Sequence, residues 1–341
     1  MDMKAAIDKV VLRQDLSYEE MREVMRLVMT GQATPAQIGG LLIGLRMKGE
    51  SVDEIAASAE VMRELATPVN VNREHLVDIV GTGGDGANLF NVSTTSSIVV
   101  AAAGGRVAKH GNRSVSSSSG SADLLDKAGV KLDLTPEQVA RCIEEVNLGF
   151  MFAPMHHSAM RHAVGPRKEM GVRTLFNILG PLTNPAGAQH QLIGVYDKAL
   201  LPVMAEALKK LGSKHVMVVH SEEGLDEISI AAPTYVAELK EGEITEYVIQ
   251  PEDFGLDRGS LDELKVYSAE ESLALVKRVL DNEPGAALDT VLLNAGAALY
   301  VADIADTLAE GVAMAQDAID SELAKERLRA LVDFTRVFAE R

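Results

Sequence analysis

The sequence predicts an α/β protein, in which a small all-helical N-terminal domain precedes a larger α/β domain with a mainly parallel central sheet flanked by helices. Two patterns support this class. Helix-start signals recur through the first part of the chain, each before an amphipathic run. After Thr67-Pro68, short apolar segments that end near glycines alternate with helical segments, as in βαβ units. We therefore expect a helical domain at residues 1–70 and an α/β domain at residues 71–341.

The N-terminal domain is predicted to be helical because three capping boxes follow one another. They are Ser17-x-x-Glu20, Thr34-Pro35-x-Gln37 and Ser51-x-x-Glu54. Gly31 and Gly49 supply stop signals between the helices. Apolar residues within each run recur at helical spacing. A segment this short has too little interior to bury every apolar face, so we expect a homodimer that forms through this domain.

The larger domain is predicted from alternating strands and helices. The expected strands are residues 76–80, 106–108, 148–152, 191–195 and 216–219. The expected helices are residues 96–103, 121–128, 136–146, 158–170 and 174–179. Strands joined through helices pair in parallel, and the helices then cover both faces of the sheet.

Composition and charge exclude several classes of protein. The chain has 341 residues, 47% of them apolar and 24% charged, which fits a soluble protein of about two domains. A net charge of −17 repels nucleic acids and anionic membranes, so we expect neither as a partner. The N-terminal residues lack a secretion signal, and no apolar run has the roughly 20 residues that span a bilayer. The only cysteine, Cys142, forms no internal disulfide. These features predict a cytoplasmic protein.

A glycine-rich loop follows the first predicted strand. Gly81, Gly83 and Gly86 match G-x-G-x-x-G, and their small size lets backbone N–H groups approach an anion. A dinucleotide site requires an acidic residue roughly 20 positions later, but none occurs between Asp85 and Asp123. A Walker loop requires Lys-Ser or Lys-Thr after the last glycine, and this is absent as well. The loop therefore predicts an anion site of another kind.

Two further polar segments point to a phosphorylated substrate. Residues 91–95, Asn-Val-Ser-Thr-Thr, open a predicted helix whose N-terminus favours anions. Residues 109–113, Lys-His-Gly-Asn-Arg, follow a predicted strand and lead into the serines of residues 114–119. Cations, an amide and many hydroxyls at this spacing suit a polyanionic sugar phosphate.

Histidines, an arginine and an acidic pair complete the candidates. His156, His157 and His162 lack the Glu or Cys partners of zinc motifs, so zinc is not expected. Arg167 follows Gly165-Pro166, a predicted rigid turn, and could hold a carboxylate. Asp226-Glu227 follow a predicted strand, where paired carboxylates together with phosphate oxygens suit Mg²⁺.

Five of these motifs, in this order and over nearly the whole chain, resemble those of the anthranilate phosphoribosyltransferase family. They are Gly81-Thr82-Gly83-Gly84-Asp85, Asn91-Val92-Ser93-Thr94, Lys109-His110-Gly111-Asn112-Arg113, Gly165-Pro166-Arg167 and Asp226-Glu227. The resemblance implies a nucleoside phosphorylase-like fold in which helices near residues 170–187 return to the helical domain. It implies transfer of the phosphoribosyl group of 5-phosphoribosyl 1-pyrophosphate (PRPP) to the amine of anthranilate, the second step of tryptophan biosynthesis from chorismate.

The resemblance also implies roles for individual residues. PRPP would be bound by Gly81, Gly84, Asp85, Asn91, Val92, Ser93, Thr94, Lys109, His110, Gly111, Asn112, Arg113, Ser114, Val115, Ser116, Ser117 and Ser121. Anthranilate would be bound by Gly81, Asn112 and Arg167, with Ala153, Pro154 and His157 along its access path. Mg²⁺ would be held by Ser93, Asp226 and Glu227.

No general base follows from the resemblance, and His110 and His157 are candidates for positioning only. The sequence departs from the family pattern at two places: Leu89 lacks a hydroxyl that many relatives have, and Ser118 replaces a frequent lysine. We expect the loss of this cation to weaken substrate binding.

Two alternatives stay open at this point. A pyrimidine nucleoside phosphorylase shares the fold, but its Lys-His-Ser-Thr-Gly motif is replaced by residues 109–113. A non-catalytic, nucleic-acid-binding relative should be basic, whereas this chain carries −17 and keeps Asp226-Glu227.

Overall fold

We describe residues 1–114 and 118–339 of the chain in a computed structural model. Within these residues there are fifteen α-helices and seven strands. The helices are α1 (Met3–Val11), α2 (Tyr18–Met29), α3 (Pro35–Lys48), α4 (Val52–Leu65), α5 (Val92–Ala102), α6 (Ser121–Ala128), α7 (Pro136–Val146), α8 (Ala153–His156), α9 (Arg161–Met170), α10 (Leu175–Leu179), α11 (Leu200–Lys210), α12 (Ala269–Leu280), α13 (Ala286–Val301), α14 (Leu308–Asp320) and α15 (Leu323–Ala339). The strands are β1 (Leu76–Gly81), β2 (Arg106–Gly111), β3 (Leu148–Phe152), β4 (His190–Gly194), β5 (His215–Ser221), β6 (Thr234–Lys240) and β7 (Glu243–Ile249).

All seven strands form one sheet in the order β3-β2-β1-β4-β5-β6-β7. The pairs from β3 to β5 are parallel, and β6 and β7 are added antiparallel. The prediction of a mainly parallel sheet is therefore confirmed. Because parallel strands end at the same edge, the loops that leave β1, β2, β4 and β5 start side by side there.

The N-terminal helices begin where the capping boxes predicted. Ser17, Thr34 and Ser51 each accept a hydrogen bond from the third helical residue, whose side chain bonds back to the cap. Apolar faces of α1 to α4 share a hydrophobic cluster with α10, and the same cluster includes side chains of β4, β5 and α11. The helical segment near residue 175 thus packs against helices that lie more than a hundred residues earlier in the chain.

The opposite side of the sheet is covered by a second cluster. Its centre is α13, a helix with almost no polar residues that packs against α5 and α14. Thr290 and Asn294 are buried polar residues of this helix, and Asn294 bonds the backbone N–H and carbonyl of Ile228 in the loop that follows β5. None of the helices described is long and apolar enough to cross a membrane.

Two local predictions were wrong. The helix expected at residues 96–103 begins at Val92, because Asn91 already serves as its N-terminal cap residue. Gly165-Pro166 do not form a turn but lie inside α9. Pro166 removes only one backbone hydrogen bond from the helix. The residues after it stay helical, and α9 ends at Gly171, which adopts a left-handed conformation.

Candidate active site

The glycine-rich loop after β1 presents its backbone to the loop after β5. Gly83, Gly84 and Gly86 have φ angles of +68°, +79° and +76°, a region that favours glycine. In this conformation the N–H of Gly83 donates to Oδ2 of Asp226 at 2.7 Å. A backbone amide and a carboxylate that lie 143 residues apart in the sequence therefore meet at the carboxyl edge of the sheet.

Glycines in β1 and β4 make room for this carboxylate. A Cβ added to Gly81 would lie 2.3 Å from Oδ2 of Asp226, and one added to Gly194 would lie 1.6 Å from its carbonyl oxygen. Gly81 and Gly194 are paired across β1 and β4. The acidic loop consequently rests on two strand ends that carry no side chains.

The acidic side chains here repel one another. Burial, together with the charge of Asp85, raises the pKa of Asp226 to about 7. Burial and the charge of Asp226 raise the pKa of Glu227 well above its ordinary value. Such a cluster is stabilised in its charged form by a cation. Among the residues described, no three His, Cys, Asp or Glu side chains form a complete metal cage. Mg²⁺ typically takes one or two carboxylates and fills its shell with substrate phosphates and water.

Lys109 lies beneath the glycine-rich loop. Its Nζ donates to the carbonyl of Ile79 at 2.5 Å and to Oγ of Ser93 at 3.3 Å. Burial lowers its pKa, while the charges of Asp78 and Glu227 act in the opposite direction. Lys109 therefore joins the end of β1, the start of α5 and the acidic loop.

The N-terminus of α5 faces the same cluster. The Ser93 backbone acts to lower the pKa of Glu227, against the larger effects of burial and of the Asp226 charge. Thr94 Oγ1 is buried and has no hydrogen-bond partner among the described residues. The side chain of Asn91 is already engaged, with bonds from the hydroxyls of Ser119 and Ser272 to its Oδ1. An anion near this helix end would meet a free donor at Thr94 rather than at Asn91.

The loop after β2 is held from one side by α6. Arg113 pairs with Asp123 and Asp126 at 2.9 and 3.1 Å, so its guanidinium points toward α6. Asp123 also accepts the N–H groups of Ser114 and Gly120. The predicted ligands Val115, Ser116 and Ser117 lie outside the residues that the structure describes.

The two places where the sequence departs from the family pattern have structural explanations. Leu89 forms an isolated antiparallel bridge with Lys265, and its side chain packs against the core. The hydroxyl of Ser118 donates to the carbonyl of Val266 at 2.7 Å. Both residues therefore tie the substrate-side loops to the segment before α12.

Arg167 lies on α9 with its guanidinium 5.2 Å from the centre of the Phe176 ring. It is partly buried, and burial lowers its pKa. Among the described residues no carboxylate forms an ion pair with it. A desolvated guanidinium without a partner is suited to bind a carboxylate, as predicted for this residue.

His110 and His157 form a buried pair with ring centres 5.0 Å apart. In both rings Nε2 has no hydrogen-bond partner among the described residues. Burial first, and the neighbouring histidines second, lower the pKa of His157 to about 4 and that of His110 well below its ordinary value. Both rings are therefore neutral at neutral pH and can position a polar group without adding charge.

Known proteins match the chain along its whole length. Residues 4–66 match the helical bundle domain of a glycosyl transferase family, and residues 73–325 match its α/β domain. The anthranilate phosphoribosyltransferase of Chromohalobacter salexigens is 67% identical over 341 residues, which are 100% of this chain and 99% of that protein. This chain belongs to the anthranilate phosphoribosyltransferase family.

Solved structures of the anthranilate phosphoribosyltransferase family have the same fold. The one from Thermus thermophilus superposes with a TM-score of 0.92 at 47% identity and covers 97% of this chain and 99% of its own. The one from Saccharomyces cerevisiae, in complex with PRPP and Mg, has a TM-score of 0.89 at 26% identity and covers 98% of both chains. The family membership and the fold class predicted from the motifs are thus confirmed.

The structure adds three residues that the family motifs did not include: Asp78, Asn184 and Arg173. Asp78, buried in β1, accepts the backbone N–H of His110 and the side-chain amide of Asn184 at 3.1 and 2.7 Å. Arg173 stacks on the Tyr196 ring at 4.2 Å and donates to the carbonyl of Gly84. The only sequence signal for Asp78 is a charged residue inside an apolar strand, and that signal does not identify its partners.

Proposed function

We propose that this protein transfers the phosphoribosyl group of PRPP to the amine of anthranilate, with release of pyrophosphate and with Mg²⁺ bound to the PRPP. One observation carries the proposal: at the carboxyl edge of the sheet, Asp226 and Glu227 lie against the glycine-rich loop and the N-terminus of α5. Carboxylates for a metal and N–H donors for phosphates are thus present in the same place.

The chemistry needs little more from the protein than this arrangement. When pyrophosphate leaves the sugar, positive charge develops on the ribose and negative charge on the leaving group. Mg²⁺ bound to the pyrophosphate would neutralise that negative charge. The acidic pair and Ser93 would hold the metal, while the N–H groups of the glycine-rich loop and Lys109 would stabilise the phosphates.

Orientation of the amine is the second requirement. The unpaired guanidinium of Arg167 would hold the carboxylate of anthranilate, so that its amine faces the ribose. The attacking nitrogen is already neutral, which removes the need for a strong base. The neutral rings of His110 and His157 could then accept a hydrogen bond from the amine during attack.

The reaction can be tested by anthranilate fluorescence. Purified protein, PRPP and Mg²⁺ should lower the fluorescence over time, and EDTA should stop the decrease. A parallel incubation of pyrimidine nucleosides with phosphate tests the phosphorylase alternative. Metal-dependent loss of fluorescence without phosphorolysis supports the proposal, whereas phosphorolysis without loss of fluorescence would reverse it.

We also propose that residues 1–70 mediate a homodimer. A groove of about 470 Å³ lies between α1, α3 and α9. Its lining is mostly apolar, with Val10, Val11, Ile43, Met47 and Met170. Met47 is 70% exposed and Val11 65% exposed, which is unusual for large apolar side chains unless a partner covers them.

The dimer can be tested by sedimentation equilibrium. Met47→Glu should convert a dimer into a monomer because it places a charge within an apolar contact. Leu323→Glu changes another exposed apolar residue, on α15, and should leave the mass unchanged. A wild-type protein that sediments as a monomer at all concentrations would refute the proposed dimer.

A further inference from the structure

A second cleft lies at the amino ends of β1, β4 and β5, at the edge of the sheet opposite the candidate active site. Its volume is about 230 Å³. It is lined by the end of α4 with the residues after it, by Arg73, by residues 184–189 and by residues 211–213. Its lining, as far as the described residues form it, contains no aspartate or glutamate.

Two arginines give this cleft an unbalanced positive charge. Neither Arg63 nor Arg73 forms an ion pair with a carboxylate among the described residues, although the chain has 50 acidic residues. Burial first, and the charge of Arg73 second, lower the pKa of Arg63 to about 10. Two neighbouring cations without a counter-charge are unfavourable unless an anion binds between them.

The two guanidinium groups differ in how far their donors are used. Arg63 Nε donates to the carbonyl of Leu182 at 2.6 Å, and its NH1 contacts the carbonyl of Leu211 at 3.4 Å. Arg73 is exposed and rests on Gly187, where a Cβ would lie 2.8 Å from the guanidinium carbon. The backbone carbonyl of Arg73 accepts the N–H of Leu76, but its guanidinium donates no hydrogen bond to any described residue. Arg63 is thus held in place by backbone carbonyls, while the donors of Arg73 are free.

We propose that the cleft between Arg63 and Arg73 binds a small phosphate-type oxyanion. Two guanidinium groups match a dianion in charge, and the planar arrangement of their N–H groups matches its oxygens. The cleft has room for phosphate together with ordered water, since a water molecule takes up roughly 30 Å³ in the liquid. This site is separate from the loops that would bind PRPP.

The cleft is connected to the substrate loops by one buried side chain. Asn184 lines the cleft, and its amide donates to Asp78 Oδ2 at 2.7 Å and to the Ala108 carbonyl at 2.8 Å. Asp78 in turn accepts the N–H of His110. An anion that immobilises residues 184–189 would therefore also hold Asn184 against Asp78. Asp78 in turn holds His110, near the end of β2, just before the substrate loop begins.

Phosphate binding can be measured by calorimetric titration of the full-length protein at constant ionic strength. Arg73→Ala should weaken the phosphate binding of the cleft at least tenfold, and Arg73→Lys should weaken it less because the charge remains. The matched control is Arg329→Ala, at an exposed arginine on α15. Ser93→Ala, in the substrate loops, separates the two regions because it should retain the binding that Arg73→Ala loses.

Because Arg73 is exposed, its replacement is not expected to disturb folding, which far-UV circular dichroism verifies. Binding lost in Arg73→Ala but kept in both Arg329→Ala and Ser93→Ala supports the site. Equal titration curves for wild type and Arg73→Ala, or equal weakening in Arg329→Ala, would overturn it. Neither result depends on transferase activity, so the test is independent of the proposed function.

Discussion

The guanidinium of Arg167 is partly buried, stacked near Phe176, and without a carboxylate partner among the described residues. We predict that Arg167→Ala raises the KM for anthranilate about tenfold or more, because a hydrogen bond to a charged group contributes roughly 1.5–3 kcal/mol. The KM for PRPP should change much less. Initial rates at varied concentrations of each substrate measure both constants.

A nearby cation provides the control. Lys168 is on the same helix and exposed, so Lys168→Ala changes the net charge equally without removing the buried guanidinium. If both variants shift the KM for anthranilate to the same extent, general electrostatic attraction explains the effect and the assigned contact is wrong.

Asp226 and Glu227 are expected to act through a metal. We predict that the double variant Asp226→Asn, Glu227→Gln loses nearly all Mg²⁺-dependent turnover while it remains folded, because the amides keep the shape but not the charge. Titration of activity with Mg²⁺ and a thermal melt of the same samples measure the two effects.

The same loop offers a control position. Glu222 is exposed, and Glu222→Gln should leave the Mg²⁺ dependence unchanged. Full activity of the double variant would mean that the acidic pair only shapes the loop.

At this scale the sequence predicts which residue types are present, but not where they point. Arg113 was expected to face a phosphate, and its guanidinium pairs with Asp123 and Asp126 on α6. Asn91 was expected at the substrate, but its Oδ1 accepts a hydrogen bond from the hydroxyl of Ser272, which lies 181 residues later in the sequence. Competition between such distant partners depends on tertiary packing, which a motif does not contain.

At the scale of elements, the fit between strand ends and the acidic loop should be sensitive to a single methyl group. A Cβ at Gly194 would lie 1.6 Å from the carbonyl oxygen of Asp226. We predict that Gly194→Ala displaces this loop, raises the Mg²⁺ concentration needed for half-maximal activity, and costs about 1–3 kcal/mol of stability. Activity titrations and urea denaturation measure these changes.

Gly165→Ala is the matched substitution, because nothing lies within 4 Å of a Cβ at that position in α9. It should be neutral or slightly stabilising, since alanine favours helices over glycine. A Gly194→Ala protein with the wild-type Mg²⁺ requirement would show that the loop tolerates displacement.

The elements themselves were predictable wherever local signals dominate. Capping boxes located α2, α3 and α4, and the alternation of apolar runs located the five parallel strands. The hairpin of β6 and β7 was not predicted, although Glu241-Gly242 lie between two strand-like segments; in the structure they form its turn, with φ angles of +51° and +81°. Pro166 misled in the opposite direction, because one lost hydrogen bond does not end a helix whose other residues stay paired.

For the whole molecule, hydrophobic periodicity identifies buried faces but not their partners. The apolar residues of α10 could have packed on either side of the sheet, and they pack with α1 to α4. Only the resemblance to a known family implied that this segment returns to the N-terminal helices. The same limit applies to the cleft at Arg63 and Arg73, whose lining comes from four separate parts of the chain.

Buried histidines should make the stability of the whole molecule sensitive to acid. Burial lowers the pKa of His157 to about 4, below the value of about 6.5 that it has when unfolded. As the pH falls below 6.5, the unfolded state takes up a proton that the folded state cannot, so stability decreases. Between pH 7 and pH 5 the loss amounts to about 2 kcal/mol from this group.

Acidic groups act with the opposite sign, since burial raises the pKa of Asp78 to about 6 and that of Asp226 to about 7. The contribution of His157 must therefore be isolated by comparing variants rather than from the total pH dependence. We predict that His157→Gln loses less stability than the wild type between pH 7 and pH 5, by about 2 kcal/mol. His162→Gln makes the same change at a less buried histidine and should alter the acid response less. Urea denaturation followed by far-UV circular dichroism measures the difference, and parallel stability curves for wild type and His157→Gln would contradict a neutral, buried imidazole at this position.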